Sequence, residues 1–271
     1  MRPKSARLLA SAALAAVLAL PLAACKTTGD GDITGSIGMD SMASASPRGE
    51  TDWRRSLEVW GARYKADPSD WEAAIAYARA LRATEQRAQA VAVLEQASMR
   101  SPNNMKLSGA YGRALADAGQ YEQALEALRK AHTPDNPDWR ILNAQGAVLD
   151  QMGRHAEAQR QYAAALKIVP DEAAVLSNLG LSYALMKDLK RAEKTLRRAV
   201  AQPGAGPRVR QNLALAIGLQ GRFAEAEKIA SADLPPDEAA ANVGYLRDML
   251  AQHGDWKKKG RKPYLAPDAG T

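Results

Sequence analysis

Apolar positions along this chain fall at helical spacing. Leu57, Trp60 and Tyr64 share one face of a segment that ends at Pro68, and Ala240, Val243, Leu246, Met249 and Leu250 form a second stripe behind Asp237, a residue suited to cap a helix start. Between these two helices the pattern repeats with a fixed period. Ala occupies positions 90, 124, 158, 192 and 226, each 34 residues after the last. The smallest side chains keep the same step at Ala78, Gly112, Gly146, Gly180 and Ala214, and again at Ala97, Ala131, Ala165 and Ala199, with Asp233 breaking that last series. Gly119, Gly153 and Gly221 mark one turn position, where Lys187 is the exception, and Pro68, Pro102 and Pro170 mark another. Each unit therefore predicts a helix, a Gly-containing turn, a second helix and a Pro-containing turn.

Composition agrees with helix throughout. There are 56 Ala against 17 Val or Ile, which argues against any extensive sheet, and the single Phe and 5% aromatic content point to close helix packing on small side chains and Leu. The fold expected is all-α.

The unit resembles the tetratricopeptide repeat (TPR) in length, small-residue positions and terminal Pro. The fullest match spans 139 to 172, where Trp139, Leu142, Gly146, Gly153, Ala158, Tyr162, Ala165 and Pro170 stand in order. Small residues in both helices allow close antiparallel approach while Leu and Tyr fill the seam. The resemblance implies a right-handed solenoid of about five repeats, four strong and a fifth that weakens after Ala226. The two flanking helices would cap it, as exposed terminal repeats require.

The amino terminus carries a different signal. Arg2, Lys4 and Arg7 precede the apolar run from Leu8 to Leu20, which is shorter than the roughly 20 residues a membrane span needs. Leu22-Ala23-Ala24-Cys25 follows and resembles a bacterial lipobox, which implies cleavage before Cys25 and its acylation; two or more acyl chains anchor firmly where one does not. Lys26, where some inner-membrane lipoproteins carry Asp, implies the periplasmic face of the outer membrane through the family's sorting rule. Residues 26–50 are rich in Gly, Ser, Thr and Asp, the composition of a flexible tether with a reach of roughly 25–30 Å. The division expected is a signal peptide over 1–24, lipidated Cys and tether over 25–50, a capping helix over 51–69, the solenoid over 70–236, a second capping helix over 237–252 and a basic disordered tail over 253–271.

Charge changes this picture little. Of the net +7, the two ends carry +3 each, so the body is close to neutral and a nucleic-acid partner is not expected. The tail's Lys257, Lys258, Lys259, Arg261 and Lys262 suit either contact with an anionic surface or a solubilising end. One Cys excludes a disulfide framework, and three scattered His leave no metal motif; no phosphate loop, HExxH, GxSxG or CxxC occurs. Neither an enzyme nor a cofactor is expected, and His132, His155 and His253 read as solvated residues near helix ends.

Binding of protein partners is the expected use. In the TPR register the groove-facing residues are Arg79, Arg82, Lys106, Arg113, Arg140, Asn143, Ser177, Asn178, Arg208, Gln211 and Asn212. Their basic first half, tempered by Glu72, Asp117 and Asp150, suits an acidic or carboxyl-terminal peptide, and reads equally as a solvated helix face. Residues 208 to 250, ending in ANVGYLRDML, are similar to the last repeat and closing helix of TadD-like lipoproteins of tight-adherence (Flp) pilus assembly. That resemblance, which takes in the lipobox, tether and repeats, implies an assembly role supporting the outer-membrane secretin. The alternative is a general envelope adaptor that recruits proteases or cell-wall enzymes.

Overall fold

A computed structural model describes residues 50–259; Cys25, the signal peptide, the tether and the end of the tail lie outside the described residues. The described chain is all-α, with 12 helices packed pairwise. A leading helix α1 (Glu50–Ala66) precedes five helix pairs. These are α2 (Trp71–Ala83) with α3 (Arg87–Arg100), α4 (Met105–Asp117) with α5 (Tyr121–Arg129), and α6 (Trp139–Gln151) with α7 (His155–Ile168). The last two pairs are α8 (Ala173–Leu185) with α9 (Leu189–Val200) and α10 (Pro207–Gly218) with α11 (Phe223–Ala230), after which α12 (Pro236–Lys259) closes the array. The backbone of α12 continues past residue 252, where the helix was expected to end.

The three middle pairs are each locked by one small residue opposite one large one. A Cβ at Gly112 would stand 2.6 Å from Leu128 Cγ, at Gly146 2.4 Å from Tyr162 Cε1 and at Gly180 2.5 Å from Leu196 Cγ. These contacts hold the two helices of a pair closer than any larger side chain allows. The Ala series at 90, 124, 158, 192 and 226 has no exposed surface at all.

Turn chemistry repeats with the packing. At each turn inside a pair one residue has positive φ: Glu85 (61°), Gly119 (77°), Gly153 (73°), Lys187 (64°) and Gly221 (83°). The amide that follows reaches back to the carbonyl five residues earlier, as in Gln120 N to Leu115 O (2.9 Å) and Arg154 N to Leu149 O (2.8 Å). In the first four pairs the first helix starts from a side-chain cap at the same step, and in the fifth Gly206 stands there without one. Asp70 accepts from Ala73 N, Asn104 from Leu107 N, Asp138 from Arg140 N and Glu172 from Ala174 N.

Two units depart from the expected repeat. In the second pair, α5 stops at Arg129, five positions before the register of α3 and α7 would end it, and residues 130–138 form a loop containing Pro134 and Pro137. In the fifth, α11 is only 8 residues long, and Asp233 falls in the turn behind it, where it binds Arg210 Nε (2.6 Å). On α12, Val243 and Leu246 are buried as expected, but Ala239 is fully covered and Ala240 is exposed.

The first helices of successive pairs touch one another, α2 to α4, α4 to α6, α6 to α8 and α8 to α10. Among the described residues the second helices make no comparable contacts with each other. A stack that is close on one side and open on the other curves toward the close side, so α2, α4, α6, α8 and α10 line the inner face.

Candidate functional site

The inner face is built from the same positions of five stacked helices, so a side chain on one helix meets that on the next about 35 residues away. Asn178 Nδ2 donates to Asn143 Oδ1 at 3.0 Å, Asn212 Nδ2 donates to Ser177 Oγ at 2.9 Å, and Arg82 is paired with Asp117. Asn143, Ser177 and Asn178, expected on an open groove, are instead buried (0, 3 and 5% exposed). The neighbouring helices cover them, and these amides and hydroxyls bond to each other.

The remaining groove residues are accessible. Arg79, Lys106 and Gln211 are exposed, while Arg82, Arg113, Arg140, Arg208 and Asn212 are half-buried. Aromatic rings support two of the cations: Lys106 Nζ lies 5.6 Å from the Trp71 ring centre and the Arg140 guanidinium 4.6 Å from that of Trp139. The Nε atom of Arg140 is buried and has no hydrogen-bond partner. Arg79, Lys106, Arg113 and Arg140 thus form a cationic strip along α2, α4 and α6.

At the other end of α6 from Arg140 lies a polar knot that sequence reading missed. Asp150, on the last turn of α6, accepts from Ser182 Oγ (2.8 Å) on α8 and from Tyr162 OH (3.0 Å) on α7, and its Oδ1 lies 2.8 Å from His155 Nδ1. Burial raises the Asp150 carboxyl above its ordinary 3.8, an effect only partly offset by hydrogen bonds from His155, Ser182 and Tyr162. Burial, and then the neighbouring carboxylate, push the Tyr162 phenol well above 10.0. His155 is therefore not the solvated residue expected. His132 is also partly covered, its Nε2 3.3 Å from Gln145 Nε2 and its Nδ1 buried. The members of the knot are 5, 12 and 32 residues from Asp150, so no local motif announces them.

No group of three or more His, Cys, Asp or Glu among the described residues could hold a metal, and no described helix is long and apolar enough to cross a membrane. What the geometry offers is a rigid inner face with polar and cationic side chains at regular intervals. That defines a helix-pair solenoid, a class of scaffold that binds through its concave surface.

Comparison with known proteins identifies which solenoid. Tetratricopeptide repeat profiles match residues 81–146 and residues 173–202, so the helix pairs there are tetratricopeptide repeats. No curated protein matches it by sequence. Among solved structures, human IFIT1, crystallised as a dimer with m7Gppp-AAAA, is similar at 15% identity and a TM-score of 0.59, over 78% of this chain and 53% of that one. The APC/C hetero-tetramer Cut9-Hcn1 gives 17% identity and a TM-score of 0.57 over 71% of this chain and 40% of that one. MamA gives 20% identity and a TM-score of 0.47 over 56% and 88%. For IFIT1 and Cut9-Hcn1 the likeness is one of fold.

Proposed function

We propose that this protein is a lipid-anchored scaffold of the bacterial envelope that holds protein partners on its inner face, serving assembly of the Flp pilus secretion machinery. The fold makes it a protein-interaction scaffold, and the cationic strip of Arg79, Lys106, Arg113 and Arg140 is the observation that carries the choice of site. Cations on rigid helices, two of them backed by Trp, favour an acidic or carboxyl-terminal peptide by charge-assisted hydrogen bonding. The Leu22-Ala23-Ala24-Cys25 sequence supports acylation at Cys25 and attachment to the periplasmic face of the outer membrane, and residues 26–50 supply the tether. The ANVGYLRDML ending supports the pilus role, with the secretin or another pilus-assembly subunit as partner.

Crosslinking in living cells, followed by purification of this protein and mass spectrometry, tests the proposal. Recovery of a secretin or other pilus-assembly subunits is the expected result. Recovery of proteases or cell-wall enzymes without any pilus component would replace it with the general adaptor.

A further inference from the structure

The shortened α5 leaves a gap on the opposite face. Where α3 and α7 each run 14 residues, α5 ends after 9, and residues 130–138 turn away from the register. The turn is pinned by a bridge between Thr133 and Asn136, with Asn136 N donating to Thr133 Oγ1 at 3.2 Å. A recess of about 290 Å³ opens beside it, walled by α5 and α7 and floored by α6. Both walls are second helices of their pairs, so the recess faces away from the inner surface.

Its chemistry is mixed in a specific way. Leu125, Leu142 and Leu149 give an apolar floor. Gln145 stands among them only 4% exposed and bonds to His132, at a repeat position occupied elsewhere by Tyr77, Tyr111, Leu179 and Leu213. At the rim, Arg154 grips Glu157 through two bonds of 2.7 Å, so those charges are matched. Arg129 is different: its side chain is 59% exposed, and its ion pair with Glu126 is loose, at 3.7 Å with no hydrogen bond. The volume sits at the lower edge of the roughly 300–1,000 Å³ of small-molecule pockets, and the recess is open along the face, which suits a side chain of an extended segment more than an enclosed ligand.

We propose that this recess is a second docking site, independent of the inner groove, for a short acidic protein segment. One apolar side chain of the segment seats on Leu125, Leu142 and Leu149, and a neighbouring carboxylate pairs with Arg129. Two partners could then be held at once, one on each face of the same solenoid.

The test uses the full chain and fluorescent ten-residue peptides, acetylated and amidated so that no terminal carboxylate is present. One set carries a single Leu, Phe or Trp flanked by Asp and Glu, and the control set carries the same residue flanked by Lys. Anisotropy titrations should show at least tenfold tighter binding of an acidic peptide than of its Lys counterpart. Arg129→Glu should erase the preference that remains when Arg79, Arg113 and Arg140 are jointly changed to Glu. Gln161→Trp, which fills the mouth from a partly exposed position, should weaken binding tenfold with an unchanged circular dichroism melt. Joint replacement of Arg79, Arg113 and Arg140 by Glu removes the inner groove's own attraction for acidic peptides, and at least a tenfold preference for the acidic peptide should survive it. Equal binding of both peptide sets, no binding of any acidic peptide, or loss only in the triple variant would overturn the proposal.

Discussion

Two carboxylates join successive repeats, and they do it by opposite physics. Asp150 joins the third pair to the fourth from within, buried, with donors that carry no fixed charge: a hydroxyl, a phenol and an imidazole. Glu193 joins the fourth to the fifth from the outer side, accepting from Gln220 Nε2 (3.0 Å), Arg222 Nη1 (2.7 Å) and Arg197 Nη2 (2.8 Å). Partial burial pushes Glu193 upward, but Gln220 and the two guanidiniums more than reverse this and hold it at about 2 against an ordinary 4.5. For Asp150 burial wins and the carboxyl is raised. An equal number of hydrogen-bonding side chains, three each, therefore gives opposite shifts, and fixed positive charge decides which. The inner joint specifies the geometry of the stack; the outer one tolerates loss, because the guanidiniums that hold Glu193 are 47 and 41% exposed and an ion pair within reach of water contributes little.

The largest effect should come from breaking the buried joint. Asp150→Ala leaves Ser182, Tyr162 and His155 without their common acceptor and should cost about 3 kcal/mol in urea unfolding, in line with loss of a buried network. Gly146→Ala acts on the same knot from behind, since its Cβ would fall 2.4 Å from Tyr162. Forcing Tyr162 off Asp150 should cost about 2 kcal/mol, after allowing for the gain in helix propensity.

Glu193→Gln should cost less, on the order of 1 kcal/mol, and the cost should shrink in 1 M salt, whereas that of Asp150→Ala should not. Acid separates the two further. Glu193 is lowered in the fold, so its contribution is complete above 4.5 and is lost as pH falls toward 2. Asp150 is raised, so its contribution is complete below 3.8 and is lost as pH rises through its folded value. Urea midpoints between pH 2 and 6 should therefore fall less steeply on the acid side in Glu193→Gln and more steeply in Asp150→Asn. The smallest effect concerns the turn between the two joints: Lys187→Gly removes a positive φ from a residue with a side chain and should add up to about 1 kcal/mol.

The repeats were legible because each one needs a small residue against a large one, and that need recurs every 34 residues at Gly112, Gly146 and Gly180. The caps at Asp70, Asn104, Asp138 and Glu172 follow the same step and were open to the same reading. The shortened α5 also had a sign, in Pro134 and Pro137, which do not keep the register of Pro68, Pro102 and Pro170. Glu85 had none, since Glu carries no preference for positive φ. The Asp150 knot was hidden for another reason: its members lie on three helices and meet only when the stack forms. Groove positions read from register fared in between, because register places a residue on a face without telling whether its neighbour covers it, as happens at Asn143, Ser177 and Asn178.

The central claim is that the cationic strip on the inner face takes the partner. Partner capture by crosslinking should be compared between the wild-type chain and a variant in which Arg79, Arg113 and Arg140 are all changed to Glu, with matched melting curves. Loss of capture with the fold intact is the predicted result. Undiminished capture would contradict the claim and move the contact off the inner face.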